Sequence, residues 1–118
     1  MIPALETLNL PADLREALEA AVQAIVEAAD PEAVILFGSF AEGTADEESD
    51  VDLLVVAETE DRYRLAMRLV DVARQLLRPR GLDLLVMLSS EWPRARTLRG
   101  FVGWEADQYG VKLYGRAA

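Results

Sequence analysis

The chain has 118 residues and a formal net charge of −9, and it contains neither cysteine nor histidine. This length suits one domain spanning residues 1–118, with a core of modest size. Without cysteine and histidine, disulfides, thiolate nucleophiles, imidazole bases and ordinary zinc sites are excluded. Any metal would have oxygen ligands, which favours Mg²⁺ or Mn²⁺.

The charge is unevenly distributed along the chain. Residues 1–60 contain fifteen acidic side chains and one basic one, whereas residues 61–118 contain six acidic and eleven basic ones. Solvated helix faces are the simplest interpretation, and arginines that meet a triphosphate or an acidic partner are the alternative. The net acidity argues against non-specific nucleic-acid binding. No apolar run suits a membrane span and no basic signal-peptide region opens the chain, so a cytoplasmic protein is expected.

The first half of the chain predicts a helix and two strands. Apolar residues at helical spacing indicate a helix over 12–29, with Asp13 and Glu16 spaced like a capping box. Residues 33–37 are apolar on both alternating faces and predict a strand that is covered on both sides. The loop 38–49 is short for a parallel crossover, so the strand over 50–57 is expected to run antiparallel to the first.

The second half predicts a second helix over 61–78 and a third strand over 82–88. This helix is long enough to connect parallel strands by a right-handed crossover. Ser89 or Ser90 is expected to cap a third helix that continues to about Tyr109, followed by a short strand over 111–114. The predicted fold is α/β (α+β): a mixed sheet with flanking helices, in which strand two lies between strands one and three.

Chemistry-bearing residues collect at one edge of this predicted sheet. Asp50 and Asp52 leave the same face of strand two, and two adjacent carboxylates repel unless a cation or a proton lies between them. The backbone at Gly38 and Ser39 leaves strand one and is expected to enter a helical turn whose N–H groups bind phosphate. The parallel third strand brings Asp83 to the same edge, although a lone aspartate there is also common as a turn or cap residue.

Gly38-Ser39, a short loop and the run Ser-Asp-Val-Asp-Leu-Leu-Val over 49–55 resemble the signature of the DNA polymerase β-type nucleotidyltransferase superfamily. The small size resembles its minimal nucleotidyltransferase (MNT) branch. The resemblance implies that Asp50, Asp52 and Asp83 are catalytic and bind Mg²⁺ or Mn²⁺. It also implies that Gly38 and Ser39 bind the β- and γ-phosphates of a nucleoside triphosphate, with ATP as the expected substrate.

One position departs from the family pattern. Many relatives have Ala-Arg-Gly where this chain has Ala41-Glu42-Gly43, and a glutamate would repel a triphosphate. This substitution puts nucleotide affinity or substrate choice in doubt. Arg94, Arg96 and Arg99 are the candidates to restore the missing positive charge.

The acceptor of the transferred group is open to three interpretations. Minimal nucleotidyltransferases resembling this chain often accompany a small helical HEPN protein, to which they transfer AMP as the antitoxin of a toxin–antitoxin pair. The alternatives are transfer to a small-molecule hydroxyl, as in aminoglycoside nucleotidyltransferases, and a non-catalytic module that masks a partner. Three strands that are apolar on both faces, with only about three substantial helices, predict an uncovered apolar surface and therefore self-association or a stable complex.

Overall fold

The computed structural model describes residues 2–115, which form a four-stranded mixed sheet. Its strands are β1 (Ala33–Phe37), β2 (Val51–Ala57), β3 (Leu82–Leu88) and β4 (Val111–Gly115), arranged in the order β3-β2-β1-β4. Strand β1 is antiparallel to β2 and β4, and β2 is parallel to β3. The predicted mixed sheet, with the second strand between the first and the third, is confirmed.

The helices are α1 (Pro3–Glu6), α2 (Ala12–Ala29), α3 (Ser39–Glu42), α4 (Arg62–Leu77), α5 (Trp92–Ala95) and α6 (Val102–Tyr109). The two long helices lie where the apolar stripes predict them. The side chain of Asp61 caps α4 by accepting a hydrogen bond from the Arg64 N–H. The capping box predicted for α2 is wrong, because the helix begins after Pro11 and no side chain caps it.

Apolar residues of the sheet are covered on both faces, but unequally. The larger cluster joins α2 and α4 to one face, through residues that include Leu14, Leu18, Ile25, Leu36, Leu53, Val55, Leu69 and Leu77. The smaller cluster lies on the other face beneath α5 and α6 and consists of Ala33, Ile35, Leu54, Val56, Trp92 and Ala106. This two-sided burial explains why the strands read as continuous apolar runs.

The continuous third helix predicted to reach Tyr109 is wrong, because the structure has two short helices there. Gly100 lies between them with φ 91°, a left-handed conformation that interrupts an α-helix. Gly103 then packs so closely that a Cβ would lie 3.0 Å from the Ala95 carbonyl oxygen. The cap of α5 is also not a serine, since the helix follows Glu91 without a side-chain cap.

Strand β3 is an outer strand, and its surroundings expose large apolar side chains. Tyr63 is 79% exposed, Met67 65%, Leu85 43% and Val102 36%. We call these four residues the β3-edge patch. Three of them, all except Met67, line a groove of about 370 Å³ between α4, β3 and α6. The sequence-based expectation of uncovered apolar surface is met here. Within residues 2–115, the helices are too short or too polar to span a membrane.

Candidate active site

The carboxyl groups of Asp52 and Asp83 lie next to each other on parallel strands. Asp52 is the register partner of Asp83 on one side and of Phe37 on the other. It shares the face of β2 that carries Leu54 and Val56, because alternate residues of a strand point to the same side. After burial, Asp83 is the main cause of the raised pKa of Asp52, so the two carboxyl groups lie close together. Two adjacent carboxylates repel each other, which favours the protonated form of one of them.

Burial and neighbouring charges raise the pKa of Asp52 from 3.8 to about 6. Burial is the largest cause, followed by the charge of Asp83, the hydrogen bond with Asp83 and the charge of Asp50. Phe37 helps to explain the burial, because it flanks Asp52 in the sheet and packs against the smaller apolar cluster. The structure therefore brings Asp50, Asp52 and Asp83 together at one edge of the sheet, where like charges favour the protonated form of Asp52.

Two glycines give these carboxylates room. A Cβ on Gly38 would overlap Oδ2 of Asp52, and a Cβ on Gly81 would overlap Oδ1 of Asp50. Gly38 also has φ 73° and ψ −154°, a combination that is almost restricted to glycine. The Val51 N–H donates a 2.9 Å hydrogen bond to the Gly81 carbonyl and fixes the start of β3 beside the start of β2. Each carboxylate thus rests directly against a backbone segment at the sheet edge.

The donor set suits a hard divalent cation, because it consists of carboxylate oxygens. Within the described part of the chain, no three acidic side chains are already arranged to hold a metal ion. A divalent cation between Asp50, Asp52 and Asp83 would relieve the repulsion that contributes to the raised pKa of Asp52. By their chemistry, these residues fit such a cation.

Ser39 lies at the same edge and lines a cavity of about 340 Å³. It begins α3, where the Ala41 and Glu42 N–H groups donate hydrogen bonds of 3.1 and 3.0 Å to the Gly38 carbonyl. Arg80 lines the same cavity, at the turn that leads into β3. Sequence reasoning missed Arg80, because a residue between Pro79 and Gly81 reads as part of a turn. Its position three residues before Asp83 was the signal in the sequence that could have placed Arg80 near the carboxylates.

The arginines proposed to replace the missing family arginine have other contacts. Arg96 forms a 2.8 Å ion pair with Asp107 and stacks over the ring of Trp92 at 5.4 Å. Arg99 stacks over Trp104 at 5.6 Å. Arg94 is exposed on α5, and none of the three lines the cavity beside Ser39. Glu42 is exposed at the end of α3.

Clustered carboxylates beside a cavity with a hydroxyl and a guanidinium group are typical of enzymes that transfer phosphorus-containing groups with metal ions. A family model narrows this class. The chain belongs to the nucleotidyltransferase domain family, whose model matches residues 14–99. It is therefore a transferase of the nucleotidyltransferase type. Among curated proteins, no significant match was found.

Solved structures share the fold. A candidate nucleotidyltransferase from Sulfolobus solfataricus is 22% identical with a TM-score of 0.58, over 96% of this chain and 87% of that one. A toxin–antitoxin protein solved with AMP-PNP is 24% identical with a TM-score of 0.54, over 84% of this chain and 74% of that one. A mutant of the toxin–antitoxin MntA-HpeT is 22% identical with a TM-score of 0.50, over 81% and 72%.

Proposed function

We propose that this protein is a single-domain enzyme that transfers AMP from ATP to a hydroxyl group of a partner protein. The observation that carries the proposal is the juxtaposition of Asp52 and Asp83 on parallel strands, with Asp50 close enough to affect the pKa of Asp52. Three carboxylates at one sheet edge are costly without a cation. That cost is consistent with a site that functions when a metal and a triphosphate are bound.

Asp50, Asp52 and Asp83 would hold Mg²⁺ or Mn²⁺. The metal would supply charge neutralisation for the triphosphate and lower the pKa of the attacking hydroxyl. Gly38 lets Asp52 approach the β1–α3 turn, and Ser39 places a hydroxyl beside the cavity that would receive the terminal phosphates. No side chain has to form a covalent bond to the substrate.

The proposed reaction is a direct displacement at the α-phosphorus. The acceptor oxygen forms a bond to phosphorus, the bond from phosphorus to the β-phosphate oxygen breaks, and pyrophosphate leaves with that electron pair. Asp83 accepts the proton of the acceptor hydroxyl. Asp83 suits this role because it is exposed at the outer strand, where an acceptor can approach, whereas Asp52 lies between two neighbouring strands.

The choice of ATP rests on a structural relative. A structural relative was solved with AMP-PNP, an ATP analogue, which indicates that the fold can present an adenine nucleotide. Membership of the nucleotidyltransferase domain family indicates transfer of a nucleotidyl group but does not identify its base. Adenine in this chain therefore remains our proposal, and other triphosphates are the natural comparison in binding experiments.

A protein acceptor is favoured by the β3-edge patch. Leu85 follows Asp83 by two residues on the same face of β3, a distance of about 7 Å along the strand. A protein that covers the β3-edge patch and extends along β3 from Leu85 would bring its own side chains beside Asp83. Two of the structural relatives are toxin–antitoxin proteins, in line with a partner that is a small helical protein of the HEPN type. A small-molecule acceptor would not require so large an exposed apolar surface.

The test is transfer of labelled AMP from ATP to a purified HEPN-type partner, with Mg²⁺ or with EDTA. We expect labelling by the wild type with Mg²⁺, and none by Asp52→Asn or with EDTA. Asp52→Asn keeps the side-chain volume, and circular dichroism checks that it is folded. Equal labelling under all conditions would contradict the mechanism. Binding of metal and ATP without labelling would reject only the choice of acceptor.

A further inference from the structure

Arg80 is the one basic residue along the cavity beside Ser39, within residues 2–115. The other polar residues there are Asn9, Ser39, Asp46 and Glu47. Asp46 already accepts hydrogen bonds from the Glu48 N–H at 2.9 Å and from Ser49 Oγ at 3.2 Å, so its carboxylate is used within its own turn. A single cation in an otherwise acidic region is the natural contact for an anionic ligand.

Sequence adjacency links the cavity to the carboxylate edge at two points, although none of Asp50, Asp52 and Asp83 lines the cavity. Ser39 follows Gly38, whose backbone lies against Asp52, and Arg80 precedes Gly81, whose backbone lies against Asp50. Ser39 and Arg80 are thus each one residue away from a glycine in contact with a carboxylate. A ligand whose reacting phosphorus lies at the carboxylates can extend into the cavity between these two residues.

The Arg80 side chain is largely buried but uses few of its hydrogen-bond donors. It is 20% exposed, and its guanidinium donates one hydrogen bond within residues 2–115, to Asp13 Oδ2 at 3.5 Å. A guanidinium group has five N–H donors in a rigid fork, so most of its bonding capacity is unused. The side chain of Asp13 is 74% exposed, and an ion pair this long and this exposed is worth little.

We propose that Arg80 binds the β- and γ-phosphates of the nucleotide and supplies the positive charge that Glu42 lacks. This inference rests on the proposed function, because it assigns a residue to the nucleotide site. The weak ion pair with Asp13 leaves the guanidinium available for a ligand, and phosphate oxygens offer it the bidentate partner that Asp13 does not. Arg80 is a binding residue in this assignment, since it contacts the leaving pyrophosphate and not the acceptor.

The test compares ATP and AMP binding to the purified chain by calorimetry with Mg²⁺. Arg80→Ala should weaken ATP binding roughly 10- to 100-fold, as expected for a charge-assisted hydrogen-bonded contact, and leave AMP binding unchanged. The ATP affinity of Arg80→Lys should lie between those of the wild type and Arg80→Ala, because lysine keeps the charge but lacks the forked guanidinium group. Thermal unfolding checks that the variants fold. If Arg80→Ala does not fold, Arg80→Lys still tests the proposal.

Asp13→Ala is the decisive control. If Arg80 matters only through its ion pair with Asp13, Asp13→Ala should reproduce the loss seen with Arg80→Ala. If Arg80 binds phosphate, Asp13→Ala should keep ATP affinity within about threefold of wild type. Unchanged ATP binding in Arg80→Ala would overturn the inference alone. Failure of the wild type to bind MgATP would overturn the proposed function together with it.

Discussion

Asp52 and Asp83 are register partners on the parallel strands β2 and β3, so their carboxyl groups lie side by side at one edge of the sheet. The pair exists because the crossover through α4 returns the chain parallel to β2 with no offset between the two aspartates. The pKa of Asp52 is raised to about 6 by burial and by its acidic neighbours. The protein without metal therefore carries an electrostatic cost at neutral pH, and this cost can be measured.

We expect Asp52→Asn to stabilise the metal-free protein at pH 7.5 by on the order of 1 kcal/mol, after allowance for solvent screening. The pKa of Asp52 is higher in the folded state than in the unfolded state. Its contribution to the free energy of unfolding is therefore fully present below about pH 4 and is lost as the pH rises through about 6. The gain from Asp52→Asn should accordingly disappear near pH 4. Urea unfolding at both pH values measures it.

Glu47→Gln is the matched control for this measurement, because it removes one exposed negative charge from the neighbouring loop. Its effect should be within about 0.5 kcal/mol of zero at both pH values. A gain from Asp52→Asn that is equal at pH 4 and pH 7.5 would contradict the electrostatic explanation.

Magnesium should stabilise the wild type by mass action, since it binds the folded carboxylates and not the unfolded chain. At ten times the dissociation constant, the free energy of unfolding should rise by about 1.4 kcal/mol. The effect should weaken below about pH 6, because protonation of Asp52 competes with the cation. Thermal unfolding with MgCl₂, and with NaCl at the same ionic strength, separates binding from screening. An equal shift in NaCl, or in Asp52→Asn, would reject the site.

Gly38→Ala should damage the site through Asp52. The new Cβ would overlap Oδ2 of Asp52, and the backbone conformation is unfavourable for alanine, so we expect a loss of about 2 to 3 kcal/mol. Gly43→Ala provides the comparison, because Gly43 also has a positive φ (80°) but a Cβ there would meet open space. It should cost about 1 kcal/mol. Equal losses in the two variants would show that contact with Asp52 does not matter.

Several features of the site could be read from the sequence because topology constrains them. The loop 38–49 is too short to return the chain in parallel, so β1 and β2 had to be antiparallel, and Gly38 had to end near Asp52. The α4 crossover permits a parallel β3, which brings Asp83 beside Asp52. These placements follow from loop lengths and strand periodicity, and neither depends on details of side-chain packing.

Other features depend on contacts that no local pattern reveals. The helix predicted to reach Tyr109 is divided, because Gly100 adopts a left-handed conformation and Gly103 packs against Ala95. The sequence alone could not place Arg80 at the cavity beside Ser39, since the residues around that cavity come from three separate parts of the chain. The capping box at Asp13 failed because α2 begins at Ala12, which places Asp13 inside the first turn and not at the cap position.

The last prediction concerns the β3-edge patch. Tyr63 and Met67 are four residues apart on α4, so they lie on one stripe of the helix, and both are highly exposed. Met67→Glu would place a charge in an apolar contact if a HEPN-type partner covers this stripe. It should weaken the complex about 30-fold or more, the effect of about 2 kcal/mol at the centre of an interface. Titration calorimetry with the purified partner measures the affinity.

Val72→Glu is the control, because Val72 is 37% exposed and lies on a different side of α4, five residues from Met67. Its effect on partner binding should be less than about threefold. Both variants should bind MgATP as the wild type does, since neither residue lines the cavity at Ser39. Equal partner affinity of Met67→Glu and the wild type would place the interface elsewhere. Light scattering gives the masses of the isolated wild type and of isolated Met67→Glu. If the wild type is a dimer and Met67→Glu is a monomer, a second copy of this chain covers the patch instead.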